Sequence, residues 1–318
     1  MRRMTLFALH AALLLIAVAS SHGVAAAAEK KKQPVRVFIL AGQSNMEGAG
    51  AIKMNVKRNE GQGTLEYLAT NAKTAKKYGH LRTKDGNWTK RDDVWIWYLG
   101  RKGPLAPGYG SRKDRIGPEL GFGHVVGDAY DGQVLLIKTA WGGKSLAKDF
   151  RPPSSGGQVG PYYTEMIGHI KDVLGNLKTH FPAYDGRGYQ LAGFGWHQGW
   201  NDGCSRGDCE QYAENLANFI RDVRKELGAA KLPFVVANSG FGGREQKVDR
   251  RLMIVKAQAS PASVDEFKGN FACVETRDYF RPADVSPSRQ GYHWNSNAET
   301  YYLIGESMGR AMIKLSGK

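Results

Sequence analysis

Five short apolar runs, each closing on a turn, recur along this chain with longer helical patterns between them. The runs are VRVFILAG (35–42), QVLLIKTA (133–140), YQLAGFGWHQG (189–199), PFVVANSG (233–240) and FACVETRD (271–278). They are mostly apolar throughout rather than alternating, as expected of strands buried on both faces. Helical patterns occupy GPELGFGHVVGDAY (117–130), YTEMIGHIKDVLGNLKTHF (163–181), CEQYAENLANFIRDVRKEL (209–227) and VDRRLMIVKAQA (248–259). A last one, SNAETYYLIGESMGRAMIKL (296–315), opens at a Ser/Asn cap position. Alternating strand and helix predicts an α/β fold with a central parallel sheet covered on both sides.

Residues 50–116 break the rhythm. They are rich in Gly, Lys and aromatics, contain DDVWIWYLG, and read as a long insertion carrying a small hairpin. Neither an internal repeat nor a low-complexity linker interrupts the rest, so one domain is expected over 29–318.

The first 28 residues read as a secretory signal peptide rather than as fold. Two arginines precede an apolar run from Leu6 to Ala19, and small residues follow, with cleavage expected in Ala25–Ala28. The alternative is an uncleaved N-terminal anchor. No other stretch approaches the roughly 20 apolar residues of a membrane span, so an exported, soluble protein is expected, secreted or periplasmic. The 318-residue chain carries a formal net charge of +15. That charge is spread out, with no basic helix or Arg-rich run. It reads first as solubility, with an acidic surface or acidic polysaccharide as the alternative partner, and not as nucleic-acid binding.

Of the three cysteines, Cys204 and Cys209 enclose CSRGDC and are spaced so that they could pair; Cys273 would then be free and buried. Zinc spacings and HExxH are absent from the sequence, so no metal and no cofactor is expected. GGKS (142–145) lacks the first glycine of a phosphate loop, because position 138 is Lys138. The GFGG after the fourth run has Glu245 where a dinucleotide fingerprint needs its last glycine. The GxSxG elbow of ordinary α/β-hydrolases is missing too, since Met46 stands two residues after Ser44.

Chemistry concentrates where the runs end. The first ends in AGQSNM, with Ser44; the second in TAWGGKSL, with Gly142 and Gly143; the third in GWHQGWND, with Gln198, Asn201 and Asp202. QGYHWN, with His293, precedes the final helix. Parallel strands bring their ends to one rim, so these pieces can converge. A serine hydrolase needs a hydroxyl nucleophile, a histidine base and donors for a developing oxyanion. Each residue also has an ordinary reading: Ser44 as a helix N-cap, His293 as structural or exposed, the tryptophans as core.

Taken together, GQSNM, WGGKSL, WHQG and HWN, with GPELGFG before the second strand, resemble the SGNH-hydrolase superfamily. More narrowly, they resemble its sialate O-acetylesterase-like carbohydrate esterases. The resemblance spans essentially all of the mature chain. It implies a three-layer α/β/α sandwich of flavodoxin-like type, and metal-free removal of O-acetyl groups from an acetylated carbohydrate through an acyl-serine. Ser44 would be the nucleophile and His293 the general base. The Ser44 and Gly143 N–H groups and the Gln198 side chain would form the oxyanion hole, with Gly142 the alternative glycine.

Two positions depart from the family pattern. Gln290 stands three residues before the histidine, where an aspartate is usual, and cannot supply the charge that stabilises an imidazolium. The His-orienting group is then Gln290 itself, or a carboxylate such as Glu275 or Asp278, or the centre is a Ser–His dyad. Trp200 stands where the family's QGE has its acid, leaving Asp202 to orient that loop. Trp200 and Trp294, in turns, are candidate walls of a sugar cleft, while Trp196 reads as core. Arg244 is a candidate for binding a sugar carboxylate. The competing functions are a carbohydrate-binding protein on a degenerate esterase fold, kept open by Gln290, and an esterase of non-sugar esters.

Overall fold

Residues 33–318 are described in a computed structural model. The signal peptide expected at 1–28 lies outside them.

The first apolar run folds as β1 (Val35–Gly42), and its side chains divide between two cores. Phe38 and Leu40 enter one core; Val37, Ile39 and Ala41 enter the other. A strand apolar on both faces can only be central, and β1 lies mid-sheet. The strands in chain order are β1, β2 (Gly50–Ala51), β3 (Arg91–Tyr98), β4 (Arg101–Leu105), β5 (Arg115–Ile116), β6 (Val134–Ala140), β7 (Tyr189–His197), β8 (Phe234–Ala237) and β9 (Phe271–Val274). Seven of them form one sheet ordered β4-β3-β6-β1-β7-β8-β9, parallel except for β4.

The longer helices are α2 (Pro118–Ala129), α3 (Pro161–Gly175), α4 (Arg206–Glu226), α5 (Asp249–Ala259) and α6 (Ala298–Leu315); a single turn, α1 (Ser44–Glu47), precedes them. Leu120 and Phe122 of α2 and Ile304 and Met308 of α6 pack on the Phe38 face. Met166 and Ile170 of α3, Phe219 of α4 and Ile254 of α5 pack on the other. The result is the expected three-layer α/β/α sandwich. Five parallel strands, β6-β1-β7-β8-β9, follow the flavodoxin order, in which the chain reverses direction across the sheet beside the first strand. That reversal places the C-terminal end of β1, and hence Ser44, at the crevice where such sheets bind ligands.

Residues 50–116 do more than bulge from the sheet. Their aromatic stretch is β3, which runs parallel to β6 and extends the sheet, and β4 turns back along it. The two-residue turn Leu99–Gly100 has φ of 45° and 84°, the left-handed pair that suits a tight hairpin. The segment leaves and re-enters at one point, because β2 pairs with β5. Ser111, Arg112 and Arg115 are thereby held beside Ser44.

Candidate active site

At the end of β1 the backbone is set by Gly42. Its φ is +153°, and a side chain there would meet the His197 carbonyl oxygen at 2.2 Å, so β1 and β7 touch where only glycine fits. Gln43 then takes the extended N-cap position, and its carbonyl accepts from the Met46 and Glu47 N–H groups at 2.7 and 2.9 Å. The cap is therefore Gln43. Ser44 is the first helical residue, and among the described residues its hydroxyl makes no hydrogen bond. The buried Gln43 side chain also holds the third loop, its Oε1 accepting from Gly199 N at 3.0 Å and Asn201 N at 3.3 Å.

His293 arrives from the far end of the chain. Trp294, Asn295 and Ser296 follow it with φ of 50°, 54° and 56°, a left-handed run that costs about 1–3 kcal/mol per residue unless its surroundings fix it. Trp294 fixes it by complete burial beside Phe241, Phe280 and His197. Asn295 fixes it through Nδ2 donating to the Arg281 carbonyl at 2.9 Å. Asn45 ties the two turns together: its Nδ2 donates to the Tyr292 carbonyl at 3.0 Å and its Oδ1 accepts from Tyr301 Oη at 2.9 Å.

Ser44 and His293 line one cleft of about 200 Å³, with Glu47, Ser111, Arg112, Arg115 and Gln290 among its walls. The Ser44, Gly142 and Gly143 N–H groups have no acceptor among the described residues. Gly142 and Gly143 are exposed, and a side chain built on Gly142 would lie 3.8 Å from Ser44 Cβ. Gly143 has φ +71°, with open space around its missing side chain.

Burial alone displaces the His293 pKa, holding it below the ordinary 6.5. The imidazole has no hydrogen-bond partner among the described residues. Gln290 shares its cleft without bonding to it, although the Gln290 carbonyl accepts from the His293 N–H at 2.8 Å. Glu275 is occupied by Arg277 and Asn238; despite partial burial, these partners hold its pKa down at about 2. Asp278 is a two-pronged partner of Arg244. Neither acid hydrogen-bonds to His293.

The expected third oxyanion donor is also committed elsewhere. Gln198 is buried, and its Nε2 donates to the Lys144 carbonyl at 2.9 Å and to Asp202 Oδ2 at 2.5 Å. Its Oε1 accepts from Tyr212 Oη at 3.0 Å. Asp202 meanwhile accepts from the Leu146 and Ala147 N–H groups at 2.9 and 2.8 Å, and so binds the second and third loops together. Burial outweighs these donors and pushes its carboxyl up to about 6. This is the loop-orienting role expected of it.

The sugar-cleft candidates lie off this cleft. Trp294 is wholly buried. Trp200 packs against Phe241 and Tyr292, with the Arg251 guanidinium 3.6 Å above its ring. Arg244 is taken up by Asp278. Trp196 is core, as expected. The cysteines are free thiols: Cys204 is exposed, while Cys209 is turned inward to the Asp202 carbonyl, so the short loop is not closed. Among the described residues no three His, Cys, Asp or Glu side chains group to hold a metal ion.

Sequence reasoning missed Glu47, Arg112 and Arg115. Glu47 looks like a solvated acid ending a short helix. It is instead half-buried in the cleft with its pKa raised, burial outweighing the influence of Lys138 and Tyr98. The arginines belong to the segment read as an insertion, so nothing in their local sequence marks them.

Residues 34–314 match the family described as carbohydrate esterase, sialic acid-specific acetylesterase. The chain belongs to that family. It is thus a carboxylic ester hydrolase of the sialate O-acetylesterase-like group. Among solved structures, an Arabidopsis thaliana protein matches with a TM-score of 0.56 and 16% identity, over 89% of this chain and 99% of that one. XAC1771, a carbohydrate acetylesterase from Xanthomonas citri, matches at 0.56 and 14%, over 89% of this chain and 56% of that one. NanS matches at 0.56 and 11%, over 89% and 98%. At these identities the likeness is one of fold. No curated protein matches significantly by sequence.

Proposed function

We propose that this esterase removes O-acetyl groups from carbohydrates through an acyl-serine intermediate, with Ser44 as nucleophile and His293 as general base. One observation carries the reading. Ser44 and His293, 249 positions apart in the chain, line one cleft, and among the described residues neither the Ser44 hydroxyl nor the N–H groups beside it have a hydrogen-bond partner.

Ser44 Oγ attacks the acetyl carbonyl while the His293 imidazole takes its proton. The Ser44 and Gly143 N–H groups receive the developing oxyanion, with Gly142 as the alternative glycine. The tetrahedral species collapses, the sugar oxygen leaves with the proton from His293, and the acetyl group stays on Ser44. Water then attacks the acyl-serine, again giving its proton to His293, and acetate departs. Gln198 enters the hole only by releasing the Lys144 carbonyl or Asp202, so two backbone donors serve the oxyanion; with no carboxylate bonded to the His293 ring among the described residues, the centre works as a Ser–His dyad.

Export through the leader at 1–28 rests on its sequence pattern. Among the described residues no helix is long and apolar enough to cross a membrane.

Acetate release from an acetylated glycan and from a small acetyl ester tests the reading. Turnover of both, lost in Ser44→Ala, is expected. Glycan binding with no turnover would favour a binding protein, and turnover restricted to small or lipid esters would favour a non-sugar esterase.

A further inference from the structure

A second cavity, of about 380 Å³, opens beside the catalytic cleft, lined by Lys57, Arg58, Asn59, Ala283, Asp284 and Arg289. The two share a wall: Arg289 faces this cavity and the next residue, Gln290, faces the cleft with Ser44 and His293. The cavity is built between distant segments, because Asn59 Nδ2 donates to the Ala283 and Ser286 carbonyls at 2.7 and 2.6 Å.

Five arginines near the two cavities have carboxylate partners. Arg244 is paired with Asp278, Arg277 with Glu275, Arg281 with Glu299, and Arg112 and Arg115 share Asp114. Lys57, Arg58 and Arg289 form no ion pair with any described residue, and one carboxylate, Asp284, faces the three of them. Arg58 is half-buried, and its Nε finds no acceptor among the described residues. Three cations facing one carboxylate leave positive charge uncompensated, and an incoming carboxylate supplies a partner, in the forked geometry arginine favours.

We propose that Lys57, Arg58 and Arg289 form an anion subsite that holds a carboxylate of a neighbouring sugar while the acetylated unit sits at Ser44. The preferred substrate is then a glycan with carboxylates along its chain rather than a single acetylated sugar. The location of the subsite rests on Ser44 and His293 being the esterase centre, but its affinity for an anionic chain does not.

Binding of unacetylated polygalacturonate to the full chain carrying Ser44→Ala is compared with the same protein carrying Arg58→Gln and Arg289→Gln in addition. Binding at least tenfold weaker in the latter is expected, with the difference shrinking as salt screens the charges. In the active enzyme the two glutamine changes raise KM on acetylated polygalacturonate about tenfold. They leave KM on neutral acetylated xylan and turnover of a small acetyl ester unchanged. Arg289→Gln alone, at an exposed position, shows the same pattern more weakly and guards against misfolding of the double variant. Equal binding by the two inactive proteins, or an equal loss on neutral xylan, would overturn the subsite. Binding of dextran sulfate but not polygalacturonate would overturn its assignment to carboxylates. A wild type inert on every ester would overturn the esterase reading while leaving the binding comparison intact.

Discussion

Asn45 donates its amide to the backbone carbonyl of Tyr292 at 3.0 Å, so the residue after Ser44 holds the residue before His293. Tyr301 completes the clamp, its hydroxyl donating to Asn45 Oδ1 at 2.9 Å and lying 3.3 Å from the His293 carbonyl. Two turns from opposite ends of the chain are thus set by one buried amide.

Asn45→Ala removes the clamp and leaves the Tyr301 hydroxyl without its closest acceptor. Displacing a catalytic group by about 1 Å can cost roughly a hundredfold. A fall in kcat of about ten- to a hundredfold on a small acetyl ester is therefore expected, with KM little changed. Steady-state kinetics, with thermal melting as the control for folding, check it.

The acid limb of the pH–rate profile should fall below pH 6.5, because burial holds His293 below its ordinary value and His293 must be neutral to act as base. Gln290→Asp places a carboxylate in the same cleft. It favours the imidazolium, so it should move that limb to higher pH. A kcat/KM profile of both proteins, measured by acetate release, is the check.

Gln198→Ala should cost stability as well as rate. The side chain bonds to Lys144, Asp202 and Tyr212, and deleting it leaves buried partners unsatisfied, at about 1–3 kcal/mol each. Urea unfolding measures the loss. A variant as stable as wild type that loses only kcat would instead make Gln198 an oxyanion donor.

Asp202 gives stability its own pH dependence. Its carboxyl titrates at about 6 when folded against an ordinary 3.8, so between these values the folded state holds more protons than the unfolded. Its contribution is complete below the lower value and is lost as pH rises through the upper, a change of roughly 3 kcal/mol. Relative to Asp202→Asn, wild type should therefore lose stability from pH 4 to pH 7, which unfolding at the two pH values reads directly.

Trp294→Ala should lower stability by about 3–5 kcal/mol, since it empties a fully buried site and releases the left-handed turn behind His293. Arg244→Ala, at an exposed ion pair, should leave small-ester turnover within about twofold of wild type. Melting and kinetics on the two variants separate a buried anchor from a surface charge.

The sheet was legible because its central strands have no polar face. Val37 and Phe38 are adjacent in sequence and lie in different cores. β3 was not, because Arg91, Asp92 and Asp93 open it with charges and its length reads equally as a loop hairpin. That Ser44 and His293 share a cleft could be expected only through the family resemblance, since nothing local separates Ser44 from an N-cap. The walls of the cleft were not. Burial decided Trp294, and pairing with Asp278 decided Arg244, and neither property can be read from neighbours in sequence. Gln198 escaped for the same reason: an amide committed on three sides looks, in a sequence, like an amide free to donate.

The most direct measurement is peptide mapping after treatment with a serine-directed phosphonate, beside turnover of a small acetyl ester. A single adduct on Ser44 is expected in wild type, no adduct in Ser44→Ala, and activity at least about a thousandfold lower in that variant. An adduct on another serine, or full turnover by Ser44→Ala, would contradict the assignment of the nucleophile.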